Sequence, residues 1–219
     1  PVVDEEDRLV GIVTVDDVID VLQEEAAEDL LALAGVATEE RITTSPWRSL
    51  RLRAPWLLIN LPTAFLAAFV VSQFQTTISR LPALAALMPI VAGMGGNAAT
   101  QTLTVIIRGL STGEVTGLSW LTLKAVFVGA GNGIITGLVG AIVAALYYRN
   151  VWLGIVLASA MIINLTVAGI AGTLIPVFLK RMGIDPAVAS SVFVTTATDV
   201  VGFFSFLGIA SLLLSLTKI

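Results

Sequence analysis

Five apolar segments, each long enough to cross a bilayer, constrain this chain more than any other feature. They run roughly over Pro55–Phe74, Ala83–Ile107, Trp120–Tyr148, Trp152–Leu179 and Val188–Leu216. A span needs about 20 residues at about 1.5 Å rise each. Lipid offers no hydrogen bonds, so each segment must satisfy its own backbone, and the helix is the way a single segment does so. Trp56, Trp120, Tyr147, Tyr148 and Trp152 stand at the expected ends, where amphipathic rings favour the membrane interface. The predicted fold class is therefore an all-α polytopic membrane protein. It has five transmembrane helices over residues 55–219, preceded by a short α/β fragment over residues 1–35 and a connecting helix over residues 36–54.

Composition agrees and removes several kinds of chemistry. The chain is 56% hydrophobic and 13% charged, with a mean hydropathy of +0.94, whereas soluble domains carry about 25% charged residues. Without Cys there is no disulfide, thiolate nucleophile or zinc–thiolate site. Without His the usual general base and the commonest metal ligand are missing. Pro1 begins mid-pattern with neither Met nor a signal peptide, which reads as a piece of a longer protein. Residues 1–40 hold 13 of the 16 acids and one base, Arg8, while the rest holds 11 bases and three acids. Arg41, Arg48, Arg51, Arg53, Arg108, Lys124, Lys180 and Arg181 fall on one side of the predicted spans, and Arg80, Arg149 and Lys218 on the other. The positive-inside bias then places the N-terminal part in the cytoplasm and the C-terminus outside a cell (inner, plasma) membrane.

The first forty residues read as strand, acidic turn, strand and a helix closed by Gly35. Thr14 at the strand-to-helix turn suits an N-cap. Asp17, Asp20, Glu24 and Glu28 share one helix face, with Glu25 and Asp29 beside it. Like charges four apart destabilise a helix. The face is either simply solvated or a divalent-cation site shared with a second surface, since hard cations take carboxylate oxygens. Beyond it, Ser45 and Pro46 are suited to start the connecting helix, which is either a headgroup anchor or a mechanical link to the membrane part.

The most unusual membrane stretch is "MPIVAGMGGNAATQT", Met88–Thr102. Pro89 is expected to break the helix, and Asn97, Thr100, Gln101 and Thr102 add groups that lipid cannot satisfy. Gly93, Asn97 and Gln101 recur four apart on one face. In the fifth span Ser191, Thr195 and Asp199 do the same. A carboxylate at mid-span costs roughly 2.5–3.5 kcal/mol, and no Lys or Arg lies at matching depth. Two such faces avoid lipid by meeting each other or water. Their oxygen-only lining suits hard cations, and a hydrated Mg²⁺ in particular. One carboxylate is few for a dication, which argues for two chains about an axis. Gly129, Gly133 and Gly137 form a small-residue stripe for helix contact. Asn132 and Asn164 are expected to make interhelical hydrogen bonds rather than to bind ions.

"PIVAGMGGNAATQT", "DPAVAS" and "TTATDVVGFF", behind a tail with Gly11-x-x-Thr14-x-x-Asp17, together resemble the MgtE family of magnesium channels or transporters. That resemblance implies a homodimer with its pore on the dimer axis, lined by spans 2 and 5. It implies that residues 1–35 are the C-terminal part of a cytosolic CBS module and residues 36–54 a plug helix. It carries the ion-binding aspartate to Asp199 and the pore lining to Asn97 and Gly93, with Thr195 and Ser191 one and two turns before the aspartate. It places regulatory Mg²⁺ acids at Asp17, Asp20, Glu25, Glu28 and Asp29, and a weak nucleotide contact at Thr14 and Asp17. Mg²⁺ is the expected ion, with Mn²⁺ and other divalent cations left open. The expected partners are a second copy and the lipid bilayer, with no nucleic acid among them. A channel driven by the membrane potential is favoured over an exchanger using H⁺ or Na⁺, because no second intramembrane acid or His completes a relay. Enzymatic activity is not expected: serine proteolysis wants a base, and aspartyl proteolysis two carboxylates per site.

Overall fold

The structure, a computed structural model, describes residues 1–114 and 117–217, and the side chains of residues 25, 26, 29, 30, 188, 189 and 217 are outside the description. Glu25 and Asp29, expected on the acidic face, thus lie outside the described residues as far as their side chains go, and Lys218 lies outside altogether. The chain divides into two compact units, Pro1–Ala54 and Pro55–Ile219.

In the first unit β1 (Val2–Val3) pairs antiparallel with β2 (Leu9–Gly11). The acidic turn between them is held by Asp4, whose Oδ1 accepts from the backbone N–H groups of Glu6 and Arg8 at 2.9 Å each. Helix α1 (Val15–Leu33) opens on Thr14 with a capping box closed by Asp17. It ends at Gly35, whose φ of 68° lets the Val36 N–H reach back to the Leu31 carbonyl at 2.9 Å. Residues 36–45 are turns and irregular chain, so the connecting helix does not fill residues 36–54 but starts at Pro46, where Ser45 and Pro46 are suited to start it. There it is the first part of α2 (Pro46–Ser72), which continues through the first span. Within this unit Arg53 grips Glu40 from two nitrogens, Nε at 2.9 and 3.0 Å and Nη2 at 2.6 Å.

The second unit is helical throughout. After α2 come a short α3 (Gln75–Arg80), α4 (Ala83–Ser111), α5 (Leu118–Tyr148), α6 (Val151–Arg181) and α7 (Pro186–Thr217). Among the described residues five helices are long and apolar enough to cross a membrane, as the sequence predicts. The segment around Pro89 is corrected: α4 runs unbroken through it. Proline removes one hydrogen bond and crowds the carbonyl four residues earlier. Here it falls in the first third of the helix, while the Leu84, Leu87 and Val91 side of the same segment is packed in the core.

Helix α6 is the centre, packed against α4, α5 and α7. Its most apolar window is 56% buried, against 28% or less for the other four. The main cluster joins Leu84, Leu87 and Val91 of α4, Leu153, Leu157, Met161 and Leu165 of α6, and Phe206, Leu207 and Ala210 of α7. The glycine stripe of α5 is the contact surface expected for it, and its partner is α6. A Cβ on Gly129 would sit 2.5 Å from the Leu165 carbonyl oxygen, and one on Gly133 would sit 2.6 Å from Ile162 Cα. The hairpin between these helices turns on Arg149 (φ 49°), and Asn150 caps α6 by accepting from the Trp152 N–H at 3.0 Å. At the opposite end Lys180 Nζ donates to the Leu110 carbonyl at 2.8 Å, tying the C-termini of α4 and α6 together.

Candidate functional site

The two polar faces singled out in the sequence lie on adjoining helices, α4 and α7, which pack together and on α6. On α4 the inner face is Leu84, Leu87, Val91, Gly95, Ala99 and Leu103, all buried. The face turned away from it carries Gly93, Asn97, Thr100 and Gln101, all exposed within the single chain. On α7 Ser191, Thr195 and Asp199 are half-buried, while their neighbours Val194, Thr198 and Gly202 are buried. The polar stripe of α4 is thus left exposed by this chain and that of α7 only partly covered, beside a well-packed interior.

The hydroxyls of Thr195, Thr100 and Thr104 donate inward, along their own helices. Thr195 Oγ1 donates to the Ser191 carbonyl at 2.8 Å, Thr100 Oγ1 to that of Gly96 at 2.9 Å, and Thr104 Oγ1 to that of Thr100 at 2.9 Å. A hydroxyl that spends its proton this way leaves oxygen lone pairs as acceptors. Asp199 makes no ion pair among the described residues, where the salt bridges are Arg8–Glu6 and Arg53–Glu40. A carboxylate at mid-span without a cationic partner, beside acceptor-only oxygens, forms a surface that attracts cations or the protons of their hydration water.

Gln101 lies in a different setting from the one expected. It lines a cavity of about 280 Å³ walled by α4, α5 and α6, together with Thr102, Lys124, Asn132 and Thr173, and among the described residues none of α7 borders it. Asn132 is exposed to this cavity and makes no interhelical hydrogen bond among the described residues. That corrects the expectation, and the reason is rotational: the glycines beside it, Gly129 and Gly133, hold the α6 contact. Asn164 does make the expected bond, donating from Nδ2 to the Val91 carbonyl of α4 at 2.9 Å.

In the first unit Asp17, Asp20, Glu24 and Glu28 are all exposed. Among the described residues no three acidic side chains converge to hold a metal. Asp17 Oδ2 accepts from both the backbone N–H and the hydroxyl of Thr14 at 2.7 Å each. Those bonds hold the Asp17 carboxyl below its ordinary value of 3.8. Thr14 and Asp17 therefore cap α1 as a pair, the local role that their spacing allows.

The sequence of this chain has relatives of known name. The family model described as "MgtE: Divalent cation transporter" matches residues 88–209, which cover α4 to α7 almost entirely. The chain is similar to a protein named "Magnesium transporter MgtE" of Enterococcus faecalis, with 39% identity over 214 residues, covering 97% of this chain and 47% of that protein. It is similar to the proteins of the same name from Bacillus subtilis, 36% identical over 96% of this chain and 47% of the relative. The Thermus thermophilus protein of that name is 36% identical over 98% of this chain and 48% of the relative. The chain thus spans about half the length of the curated relatives it matches. The family model matches more than half of this chain, and the chain therefore belongs to the MgtE family of divalent cation transporters.

Proposed function

We propose that this chain forms the membrane part of a Mg²⁺ transport protein, a channel that passes hydrated Mg²⁺ into the cytoplasm down its electrochemical gradient. The observation that carries this reading is Asp199, half-buried in a membrane helix with no cationic partner among the described residues. A second copy about a two-fold axis would bring two such carboxylates together and cover the stripes of Gly93 and Asn97 on α4 and of Ser191 and Thr195 on α7. Mg²⁺ dehydrates reluctantly. Threonine, serine and asparagine oxygens would take hydrogen bonds from its waters, while the paired aspartates supply charge. Gln101, which opens on a separate cavity, is the weakest member of the set.

In this reading residues 1–35 are part of a cytosolic CBS module and residues 36–54 link it to the pore. The N-terminus is cytoplasmic and the C-terminus outside. A dication gains about 4.6 kcal/mol per 100 mV on entering a negative interior, so the potential alone supplies the drive. Cytosolic Mg²⁺ collecting on Asp17, Asp20, Glu25, Glu28 and Asp29 closes the pore by drawing modules together. Purified protein in liposomes tests the transport claim, with voltage and ion gradients imposed separately. Mg²⁺ uptake is expected under an inside-negative potential with no H⁺ or Na⁺ gradient. Uptake that requires either gradient would make the protein an exchanger.

A further inference from the structure

At the centre of α6 one polar side chain touches both pore helices. Asn164 is fully buried, 0% exposed. Its Nδ2 donates to the Val91 carbonyl of α4 at 2.9 Å. The same amide is wedged between two glycines on the two other helices. A Cβ on Gly95 of α4 would lie 2.3 Å from Nδ2, and a Cβ on Gly202 of α7 would lie 2.6 Å from it. Neither helix can come closer to α6, nor carry even a methyl group at these positions, while the amide stays in place.

Simple space-filling does not account for an amide here. Asn164 Oδ1 has no hydrogen-bond partner among the described residues, and a buried polar atom left unpaired is costly. An apolar residue would fill the volume without that penalty. The Nδ2 bond to Val91 is what the amide adds. Val91 lies one helical turn before Gly95, and Gly202 lies three residues after Asp199, so Asn164 bears on α4 and α7 beside the residues assigned to the ion path.

We propose that Asn164 is a positioning residue for ion passage. By fixing how closely α4 and α7 approach α6, it sets the spacing between the Asn97 stripe and Asp199, and thereby the affinity and size selectivity for the divalent cation. This rests on the pore reading given above. Asn164 itself does not contact the ion.

The test uses the full chain in proteoliposomes, comparing Mg²⁺ and Ca²⁺ uptake over a range of concentrations. Asn164→Ala is expected to raise the half-saturating Mg²⁺ concentration about tenfold and to lower the preference for Mg²⁺ over Ca²⁺, while oligomeric size is kept. Gly95→Ala is expected to give a similar shift, because its methyl displaces the amide. Combined with Asn164→Ala it is expected to add little, since the clash is gone. Should Asn164→Ala fail to fold, Gly95→Ala and Gly202→Ala carry the same expectation with the amide retained. Unchanged half-saturation and selectivity in the folded variants would leave Asn164 a packing residue and overturn the inference. Asp199→Ala is measured alongside. If it transports normally, the pore reading falls and takes this inference with it. If it is inactive while the Asn164 and glycine variants match the parent, the inference alone is overturned.

Discussion

At the residue scale, the behaviour of Asp199 follows from what surrounds it. An intramembrane carboxylate costs roughly 2.5–3.5 kcal/mol, and α7 gives it neighbours whose hydroxyls donate along the helix, as Thr195 does to the Ser191 carbonyl at 2.8 Å. Removing it relieves insertion cost, so Asp199→Ala is expected to fold and assemble normally. Its divalent flux in liposomes is expected to fall to background, and flux near the parent level would remove Asp199 from the ion path. Asn97 is exposed on α4 and carries no charge. Asn97→Leu is therefore expected to weaken Mg²⁺ binding less than Asp199→Ala does, keeping flux but with a higher half-saturating Mg²⁺ concentration. An unchanged concentration dependence would return Asn97 to a packing role.

At the element scale the contacts are close enough to decide outcomes. Gly133 meets Ile162 Cα at 2.6 Å from where its Cβ would stand. Gly133→Leu must therefore push α5 away from α6, and overpacking of this kind costs about 1–3 kcal/mol or more. The thermal midpoint in detergent is expected to drop by several degrees, as such a cost implies for a chain of this size. Because the stripe faces α6 of the same chain, oligomeric size is not the sensitive readout. In α1 the capping box makes a separate expectation. Asp17 is held below its ordinary 3.8 by its hydrogen bonds to Thr14. Its contribution to α1 is therefore complete above the unfolded value and is lost as pH falls through the lower folded one. Thr14→Ala removes the hydroxyl bond and keeps the backbone N–H bond at residue 14, so it is expected to raise the Asp17 titration part of the way toward its ordinary value, read from the side-chain carboxyl carbon by NMR. No shift on substitution would mean the cap does not form in solution.

At the scale of the whole molecule, α6 acts as the frame. It carries the α4, α5 and α7 contacts, while Gly93 and Asn97 of α4 stay exposed and Ser191, Thr195 and Asp199 of α7 half-buried. Regulation belongs to this scale too. A ligand shifts a two-state gate only through its differential affinity for the two states. Carboxylates gathered by cations in one state and repelling in the other provide such a difference. Under the regulation proposed above, changing Asp17, Asp20, Glu25, Glu28 and Asp29 to Asn or Ala is expected to leave permeation intact and remove its sensitivity to internal Mg²⁺. Patch currents during steps of internal Mg²⁺ measure this, and full closure of the substituted protein would place the sensor elsewhere.

The spans, the caps at Thr14 and Gly35, and the polar stripes were legible in the sequence because each depends on local properties. A run of apolar residues must be helical in lipid, a capping residue bonds within its own first turn, and an unpaired mid-span acid is conspicuous wherever the chain goes. The glycine stripe of α5 was legible as a contact, though not which helix it meets. Only the tertiary structure decided that Pro89 sits in an unbroken helix, that Gln101 and Asn132 open on a shared cavity, and that Asn164 is a wedge. Asn132 and Asn164 look alike along the chain, both asparagines amid apolar residues. What separates them is rotation about the helix axis and the identity of residues far away in sequence. Asn164 becomes a fixed spacer because Gly95 and Gly202 arrive on either side of it, and periodicity within one helix carries no information about what a neighbouring helix presents.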